Sequence, residues 1–174
     1  MMKRFFCLLL ILLLVPIKGN AVSKVTYKTD KFFLQLDSEW VEIKDFGDDN
    51  STAYARTTNG RYDMEKGYIM LMEFQDSTSK KGSQNIEQAY LELFKLTYTI
   101  TKEAEIIATE TITVNGKDKD VLLCHIEKLG DKMEYVYMST IAGNGCVLLV
   151  IFGNASVKNP KVELAELLES IVAR

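Results

Sequence analysis

The sequence predicts an α+β domain in which one antiparallel β-sheet, ending in a four-strand meander, is sandwiched between two amphipathic α-helices. Three observations predict this class. Short apolar strands recur with turn residues between them, the last four strands are apolar on both faces, and two segments have apolar residues at helical spacing. A sheet that is apolar on both faces needs a cover on each side, and two helices can supply one cover each.

The N-terminal segment has the plan of a secretory signal peptide. The basic start Lys3-Arg4 is followed by the apolar run 5–15, and the small residues Gly19 and Ala21 suit the pockets that flank a cleavage site. We therefore expect cleavage directly after Ala21.

Two other roles for this segment are disfavoured. A membrane anchor needs about 20 apolar residues, whereas this run is shorter and meets Pro16. A lipoprotein needs a cysteine after the apolar run, whereas Cys7 lies at its start. We expect a signal peptide over 1–21, one domain over 22–174, an exported product that is periplasmic or secreted, and no stable membrane insertion after cleavage.

The composition is that of an ordinary globular domain with a mildly acidic surface. Hydrophobic residues make up 47% of the chain and charged residues 26%. The signal holds three of the 21 basic residues and no acid, so 18 basic residues face 24 acidic ones afterwards, a net charge of −6. Nucleic acids and anionic membrane surfaces require clustered Lys and Arg, so both classes of partner are disfavoured.

The first half of the domain predicts four strands and one helix. The strands are apolar or β-branched and are bounded by turn residues: 31–36, 39–44, 52–58 and 68–75. The helix has Asn85 as its N-cap and one apolar face at 3.6-residue periodicity: Ile86, Ala89, Tyr90, Leu93, Phe94 and Thr97. We expect this face to pack against the sheet.

The second half predicts the meander and a closing helix. The strands are 106–114, 117–128, 132–142 and 145–153, and the turns between them are Asn115-Gly116, Gly130-Asp131 and Gly143-Asn144. The helix has Asn159 as its cap and Pro160 at its first position, with one apolar side: Leu164, Leu167, Leu168 and Ile171.

Two-residue turns predict the register of the meander. They place Leu122 opposite Ser139, and Ser139 opposite Leu148. One predicted face then holds Leu122, Cys124, Ile126, Tyr135, Tyr137, Ile141, Leu148, Val150 and Phe152. The other predicted face holds Val121, Leu123, Val136, Met138, Val147, Leu149 and Ile151. In this register Cys124 and Cys146 share a face but lie about 15 Å apart, too far for a disulfide, so we expect both thiols to be free.

The order of elements resembles the PsbP-like superfamily, a group that includes DcrB-like exported bacterial proteins. The resemblance rests on an aromatic-led strand that runs from Phe33 to Trp40, then two strands, a helix, a meander and a C-terminal helix that ends in 169–171. It covers roughly residues 25–174. It implies a fold used mainly as a non-catalytic binding or assembly module, and it carries no catalytic residue to this chain.

No group of residues predicts a catalytic, cofactor or metal site. His125 is the single histidine, and it cannot activate Cys124 because neighbouring strand residues point to opposite faces. The acidic loop, which contains Asp45, Asp48, Asp49 and Asn50, lacks the ligand spacing of an EF-hand and is interpreted as a solvated turn. Asn50 and Asn154 begin glycosylation patterns that matter only in a eukaryotic secretory route.

The aromatic and methionine side chains are interpreted as core. A stacking platform or a soft-metal site is the alternative for two sets of residues: Trp40, Phe74, Phe94, Tyr135 and Tyr137, and Met64, Met70, Met72, Met133 and Met138. Core packing is favoured because most of these residues occur at core-phased positions.

These observations predict an exported, non-enzymatic binding or accessory protein of the cell envelope that needs no cofactor. Its expected partner is another envelope or secreted protein. The alternative is a small hydrolase that uses carboxylates such as Glu110 or Glu134.

Overall fold

The computed structural model describes most of the chain after the N-terminal segment. The described residues are 24–44, 46, 50–75, 86–101, 105–127, 133–143, 145–153 and 159–174, and the side chains of 97–101, 105, 125–127 and 133–135 are not included. The predicted signal peptide therefore lies outside the described residues, as does Asn85, the predicted N-cap of the first helix.

The described residues form eleven strands and two helices. The strands are β1 (Val25–Lys28), β2 (Phe32–Leu36), β3 (Trp40–Glu42), β4 (Ser51–Thr58), β5 (Arg61–Tyr62), β6 (Tyr68–Gln75), β7 (Glu105–Val114), β8 (Lys117–Glu127), β9 (Met133–Gly143), β10 (Cys146–Gly153) and β11 (Val172–Ala173). The helices are α1 (Ile86–Thr101) and α2 (Pro160–Ser170).

The strands are arranged in two antiparallel sheets. The small sheet has the order β1-β2-β11. The large sheet has eight strands, seven of them in the order β3-β4-β6-β10-β9-β8-β7, with β5 paired to β4. The predicted meander is therefore present as the run β7 to β10, and β6 continues the sheet beyond β10.

The large sheet is buried on both faces where β10 crosses its centre. All eight residues of β10 are buried. One face packs against the small sheet and α2, through side chains that include Leu148, Leu34 and Leu164. The opposite face packs against α1, through side chains that include Leu149 and Leu91.

The predicted fold class, one sheet sandwiched between two helices, is wrong. The described chain is mostly β and has two antiparallel sheets, and the small sheet covers much of one face that the prediction assigned to a helix. The prediction missed this sheet because β1 and β11 contain only four and two residues. Strands this short show too little alternation to be recognised.

The predicted faces of β8 are also wrong relative to β9. Leu122 pairs with Met138 and not with Ser139. The predicted Gly130-Asp131 turn itself lies outside the described residues. A slip of one residue exchanges the two faces of a strand. Val121 therefore faces the small sheet, and Leu122 and Cys124 face α1.

The turn after β9 lies one residue further along than predicted. Gly143 pairs with Cys146, and Gly145 adopts a positive φ of 69°. Ser139 consequently pairs with Val150, two residues from the predicted Leu148, so the faces of β9 and β10 relative to each other are as predicted. The predicted Asn115-Gly116 turn is confirmed, with φ of 52° and 71°.

The closing helix begins at Pro160 and buries Leu164, Leu167 and Leu168 as predicted. The predicted side-chain cap is wrong, because Asn159 makes no capping bond with its side chain. Its backbone carbonyl accepts from the N–H of Val162 at 3.1 Å instead.

Gly153 pairs with Tyr68 across β10 and β6, and it leaves room for the Tyr68 ring. A Cβ atom at residue 153 would lie 2.2 Å from the ring of Tyr68, which is buried and cannot swing away. We therefore predict that Gly153→Ala lowers the free energy of unfolding by about 1–3 kcal/mol, measured by urea denaturation. In a Tyr68→Leu background the same substitution should cost less, and an equal cost in both backgrounds would contradict the clash.

Candidate functional site

Helix α1 begins beside a gap in the large sheet. The β8–β9 ladder runs from Glu127–Met133 to Leu122–Met138 and stops there. Beyond it, the β7–β8 hairpin is held towards α2, because the Asn115 N–H donates to Glu169 at 2.7 Å. The N–H groups of β9 that face this gap need other acceptors.

Glu87, in the first turn of α1, bonds to both sides of this gap. Its Oε1 accepts from the N–H of Ala142 in β9 at 2.8 Å, and its Oε2 accepts from the ammonium of Lys119 in β8. Its carbonyl accepts from the Thr140 hydroxyl at 2.9 Å. Because Glu87 is bonded to both β8 and β9, these contacts fix the position and the rotation of α1 at its N-terminus.

With Glu87 bonded in this way, the face of α1 that packs against the sheet differs from the predicted face. Glu87, Leu91 and Phe94 follow one another at i, i+4 and i+7, and Leu91 is 1% exposed. Phe94 packs against Phe74 with ring centroids 5.2 Å apart. The predicted packing face is wrong at Ala89 and Leu93, which are exposed.

The outer side of α1 carries a second apolar row, which we call the α1 stripe: Ala89, Leu93 and Leu96. Leu93 is 53% exposed and Leu96 is 57% exposed. At 100° per residue the row lies nearly opposite Leu91 on the helix. Intervals of four and three residues are those of a helix–helix seam. The α1 stripe therefore has the spacing of a helix–helix seam and is exposed to solvent.

A second candidate is a cleft of about 310 Å³ between the small sheet and the ends of β6 and β10. Its lining includes Tyr27, Lys31, Asn50, Glu73 and Cys146. The Tyr27 hydroxyl donates to Glu73 Oε1 at 2.5 Å. Burial, followed by the Glu73 carboxylate, raises the pKa of Tyr27, so the phenol remains a donor. The cleft can admit a small polar molecule, but its tyrosine and carboxylate are bonded to each other.

The carboxylates predicted for a hydrolase are not brought together by the described part of the chain. Glu110 lies on β7 and forms an ion pair with Lys161 of α2 at 2.8 Å. A hydrogen bond to Glu110 raises the pKa of Lys161. Glu134 lies in β9, and its side chain is outside the described set.

The nucleophile and base candidates are also separated. Cys124 is fully buried under α1, and burial raises the pKa of its thiol to about 12. Cys146 belongs to the core on the opposite face. His125 is in β8, paired with Tyr135 and Glu105, and its side chain is not described. The two cysteines are free, as predicted, but they lie on different faces and not on one.

The acidic loop is described only in part. Asp45, Asp48 and Asp49 lie outside the described residues, as does Asn154. The Asn50 carbonyl accepts from the Glu73 N–H at 2.9 Å. Within the described residues no three His, Cys, Asp or Glu side chains are grouped so that they could hold a metal ion.

The core interpretation of the aromatic and methionine residues holds where their side chains are described. Trp40, Tyr137, Met64, Met70 and Met138 are buried. Met72, Phe74 and Phe94 are partly buried against the core. The side chains of Tyr135 and Met133 are outside the described set.

The Trp40 ring also packs against the guanidinium group of Arg56. The Arg56 guanidinium lies 4.8 Å from the centre of the Trp40 ring, and it forms an ion pair with Glu163 of α2. Its other contacts are Glu39 at 3.8 Å and the Lys66 carbonyl at 3.4 Å. Arg56 therefore connects β3 and β4 to α2, on the opposite side of the sheet from α1.

Comparisons with known proteins identify the architecture. No protein-family model matches the sequence, and no curated protein does. Among solved structures, cyanobacterial PsbP (CyanoP) from Synechocystis is similar with a TM-score of 0.58 at 13% identity, over 92% of this chain and 99% of that one. The fold is PsbP-like. The resemblance inferred from the sequence is thus confirmed at the level of the fold.

Two further structures share this PsbP-like fold. The Ran-binding protein Mog1p of Saccharomyces cerevisiae has a TM-score of 0.55 at 8% identity, over 86% of this chain and 93% of that one. A Bacteroides thetaiotaomicron protein has a TM-score of 0.51 at 12% identity, over 82% of this chain and 45% of that one. In the described part of the chain, no helix has the length and apolar character needed to cross a membrane.

The two cysteines should differ in reactivity in the native protein. Cys124 is fully buried and keeps its proton at mildly alkaline pH, whereas Cys146 borders the cleft. Because the thiolate is the reacting form, we predict that alkylation labels Cys146 first and Cys124 only on unfolding, as followed by peptide mapping. A Cys146→Ser variant should leave the native protein nearly unlabelled at these two positions. Faster labelling of Cys124, or a disulfide between the two, would contradict the assigned faces.

Proposed function

We propose that the protein is exported and acts, without catalysis, as a binding or accessory protein for another protein of the cell envelope. The observation that carries the proposal is the α1 stripe. Leu93 and Leu96 each expose more than half of their side chains on a helix that already uses Leu91 for the core. Neighbouring exposed apolar side chains of this kind mark interaction surfaces.

The geometry of the stripe favours a helix as the contacting element of the partner. Ala89, Leu93 and Leu96 form the short seam into which a second amphipathic helix can pack. Glu92 is exposed beside this seam, and the chain after residue 21 carries a net charge of −6. Charge complementarity therefore favours a partner helix that is apolar at its centre and basic at its rim.

The similar solved structures support a binding role by analogy. One of them is named as a Ran-binding protein, and another is a PsbP. Identities of 8–13% establish a shared fold and leave function to be argued from the site.

The placement of reactive groups supports a role without catalysis. Catalysis needs a nucleophile or base held beside an orienting group. Glu110 is engaged by Lys161, Cys124 is buried under α1, and Cys146 lies on the other face. The hydrolase alternative predicts turnover of esters, phosphates, peptides or glycosides that is lost in Glu110→Gln, Glu134→Gln or His125→Ala. Such turnover would overturn the proposal.

Substitutions in the α1 stripe test the binding role. We predict that Leu93→Glu and Leu96→Glu each abolish capture of the envelope partner by the purified protein, because a buried carboxylate cannot pack in an apolar seam. The free energy of unfolding should change little, since both side chains are exposed. Val172→Glu is the matched control, because Val172 is 52% exposed on β11 of the small sheet.

Identical binding by all three variants would place the contact elsewhere and contradict the role of the α1 stripe. Loss of binding in Val172→Glu alone would do the same. Capture that depends on Leu93 and Leu96 but not on Val172 is the result that supports the proposal.

The export part of the proposal has its own measurement. Removal of residues 1–21 predicts that the exported protein begins at Val22. Intact-mass analysis of the extracytoplasmic fraction should find that species, and an exported species that retains 5–15 would contradict the signal-peptide assignment.

A further inference from the structure

The cleft between the small sheet and the ends of β6 and β10 is lined almost entirely by polar groups. Nine described residues line it, and they supply two carboxylates, one ammonium, two amides, two threonine hydroxyls, a phenol and a thiol. Its volume of about 310 Å³ is at the lower end of the range for ligand sites, about 300–1,000 Å³. The cleft therefore suits a small molecule with several polar groups.

Glu73 supplies a carboxylate that is held in place at the floor of this cleft. It lies on β6, opposite Leu148 of β10, and it is partly buried. The hydroxyl of the buried Tyr27 donates to Glu73 Oε1 at 2.5 Å. The phenol keeps its proton, because burial and then the Glu73 carboxylate raise the pKa of Tyr27. Tyr27 therefore orients the carboxylate without supplying a positive charge.

No cation in the described part of the chain is paired with this carboxylate. The ion pairs of the described residues involve Arg56, Lys119 and Lys161, and each of these has acids elsewhere as its partners. The second oxygen of Glu73 likewise has no hydrogen-bond donor among the described residues. A carboxylate that is partly withdrawn from water is stabilised by a cation or by further donors. Glu73 therefore offers an incoming ammonium group a negative charge and an unused acceptor.

Lys31 supplies the opposite charge from the wall formed by the small sheet. It lies in the turn between β1 and β2, where the Thr29 hydroxyl accepts from the N–H groups of Lys31 at 3.2 Å and Phe32 at 3.0 Å. The Lys31 carbonyl accepts from the N–H of Arg174 at 2.8 Å, so the backbone of the turn is held on both sides. Lys31 and Glu73 line the same cleft, yet they form no ion pair with each other.

We propose that this cleft binds a small zwitterion of the amino-acid class, with its ammonium group on Glu73 and the Tyr27 oxygen and its carboxylate on Lys31. A molecule with both charges neutralises both walls at once, whereas a simple amine or a simple carboxylate neutralises only one. The proposal does not depend on the partner proposed for the α1 stripe.

The remaining lining residues indicate which side chain the zwitterion has. Thr52 and Gln75 add a hydroxyl and an amide that can bond a polar side chain. Asp30 gives the cleft two acids against one base, which disfavours a ligand with a second carboxylate. We therefore expect neutral polar amino acids to bind best and acidic ones to bind worst.

Calorimetric titration of the purified protein with single L-amino acids tests the proposal. Serine, threonine, asparagine and glutamine are the first probes, and at least one of them should show saturable binding to one site per chain. Methylamine and acetate each carry one of the two charges, so both should bind at least about tenfold more weakly than the best amino acid.

Substitutions of the two charged residues test the site. Glu73→Gln and Lys31→Met should each raise the Kd by about tenfold or more, because each removes one of the two charges that hold the ligand. Glutamine can still accept from the Tyr27 hydroxyl, so the fold should be retained, as circular dichroism verifies. Glu166→Gln and Lys28→Met are the matched controls at exposed positions outside the cleft, and they should leave the Kd unchanged.

Cys146 gives an independent readout of where the ligand lies. It lines the cleft, so the bound amino acid should lower the rate of Cys146 alkylation in proportion to the occupied fraction of the protein. In Glu73→Gln the same concentration of amino acid should give much less protection.

Absence of binding by every amino acid at millimolar concentrations would overturn the proposal. Methylamine or acetate that bound as tightly as the best amino acid would overturn it too, since one charge would then suffice. A Kd that is unchanged in Glu73→Gln or in Lys31→Met, or alkylation of Cys146 that is indifferent to the ligand, would place any binding outside this cleft and contradict the assigned site.

Discussion

The fold depends on burying both faces of β10. Its sequence, CVLLVIFG, has apolar residues at nearly every position, and every residue of the strand is buried. An antiparallel strand of this kind cannot lie on a sheet with one wet face. The chain therefore needs two covers, and it uses the small sheet with α2 on one side and α1 on the other. Polar contacts then hold the two helices of these covers against the large sheet.

Two charged residues hold the covers from opposite sides of the large sheet. Arg56 connects β4 to α2 through Glu163, with the Trp40 ring beneath its guanidinium. Glu87 holds α1 against β8 and β9 through Lys119 and the Ala142 N–H. Because Glu87 sets the rotation of α1, Leu91 turns into the core and the α1 stripe turns towards solvent. The contacts of Glu87 with β8 and β9 therefore also determine that the α1 stripe, the surface that we propose for binding, is exposed.

Much of the large sheet could be predicted from local signals, because strands and tight turns depend on nearby residues. The predicted 68–75 coincides with β6, and the Asn115-Gly116 turn has the positive φ values that its sequence requires. The small sheet could not be predicted, since β1 and β11 are too short to show a pattern. The face of β8 could not be predicted either, because a shift of one residue in its pairing with β9 exchanges the two faces.

The candidate site, too, has features that local sequence predicts and features that depend on distant contacts. Ala89 and Leu93 could be recognised as apolar positions of a helix, but the sequence pattern placed them in the core. α1 has two apolar rows, and periodicity alone cannot decide which row faces the sheet. The deciding residue is Glu87, whose partners are 32 and 55 residues away in the chain. The presence of an acid in the first turn was visible in the sequence, but its long-range contacts were not.

Native-state hydrogen exchange tests the central claim that two-sided burial of β10 organises the fold. If this is correct, the β10 amides exchange most slowly, and only through global unfolding, so their opening free energies should equal the free energy of unfolding from urea denaturation. The amides of β3, at the far edge of the sheet, should open locally with a smaller free energy. If β10 exchanged by local opening as readily as β3, the central claim would be contradicted.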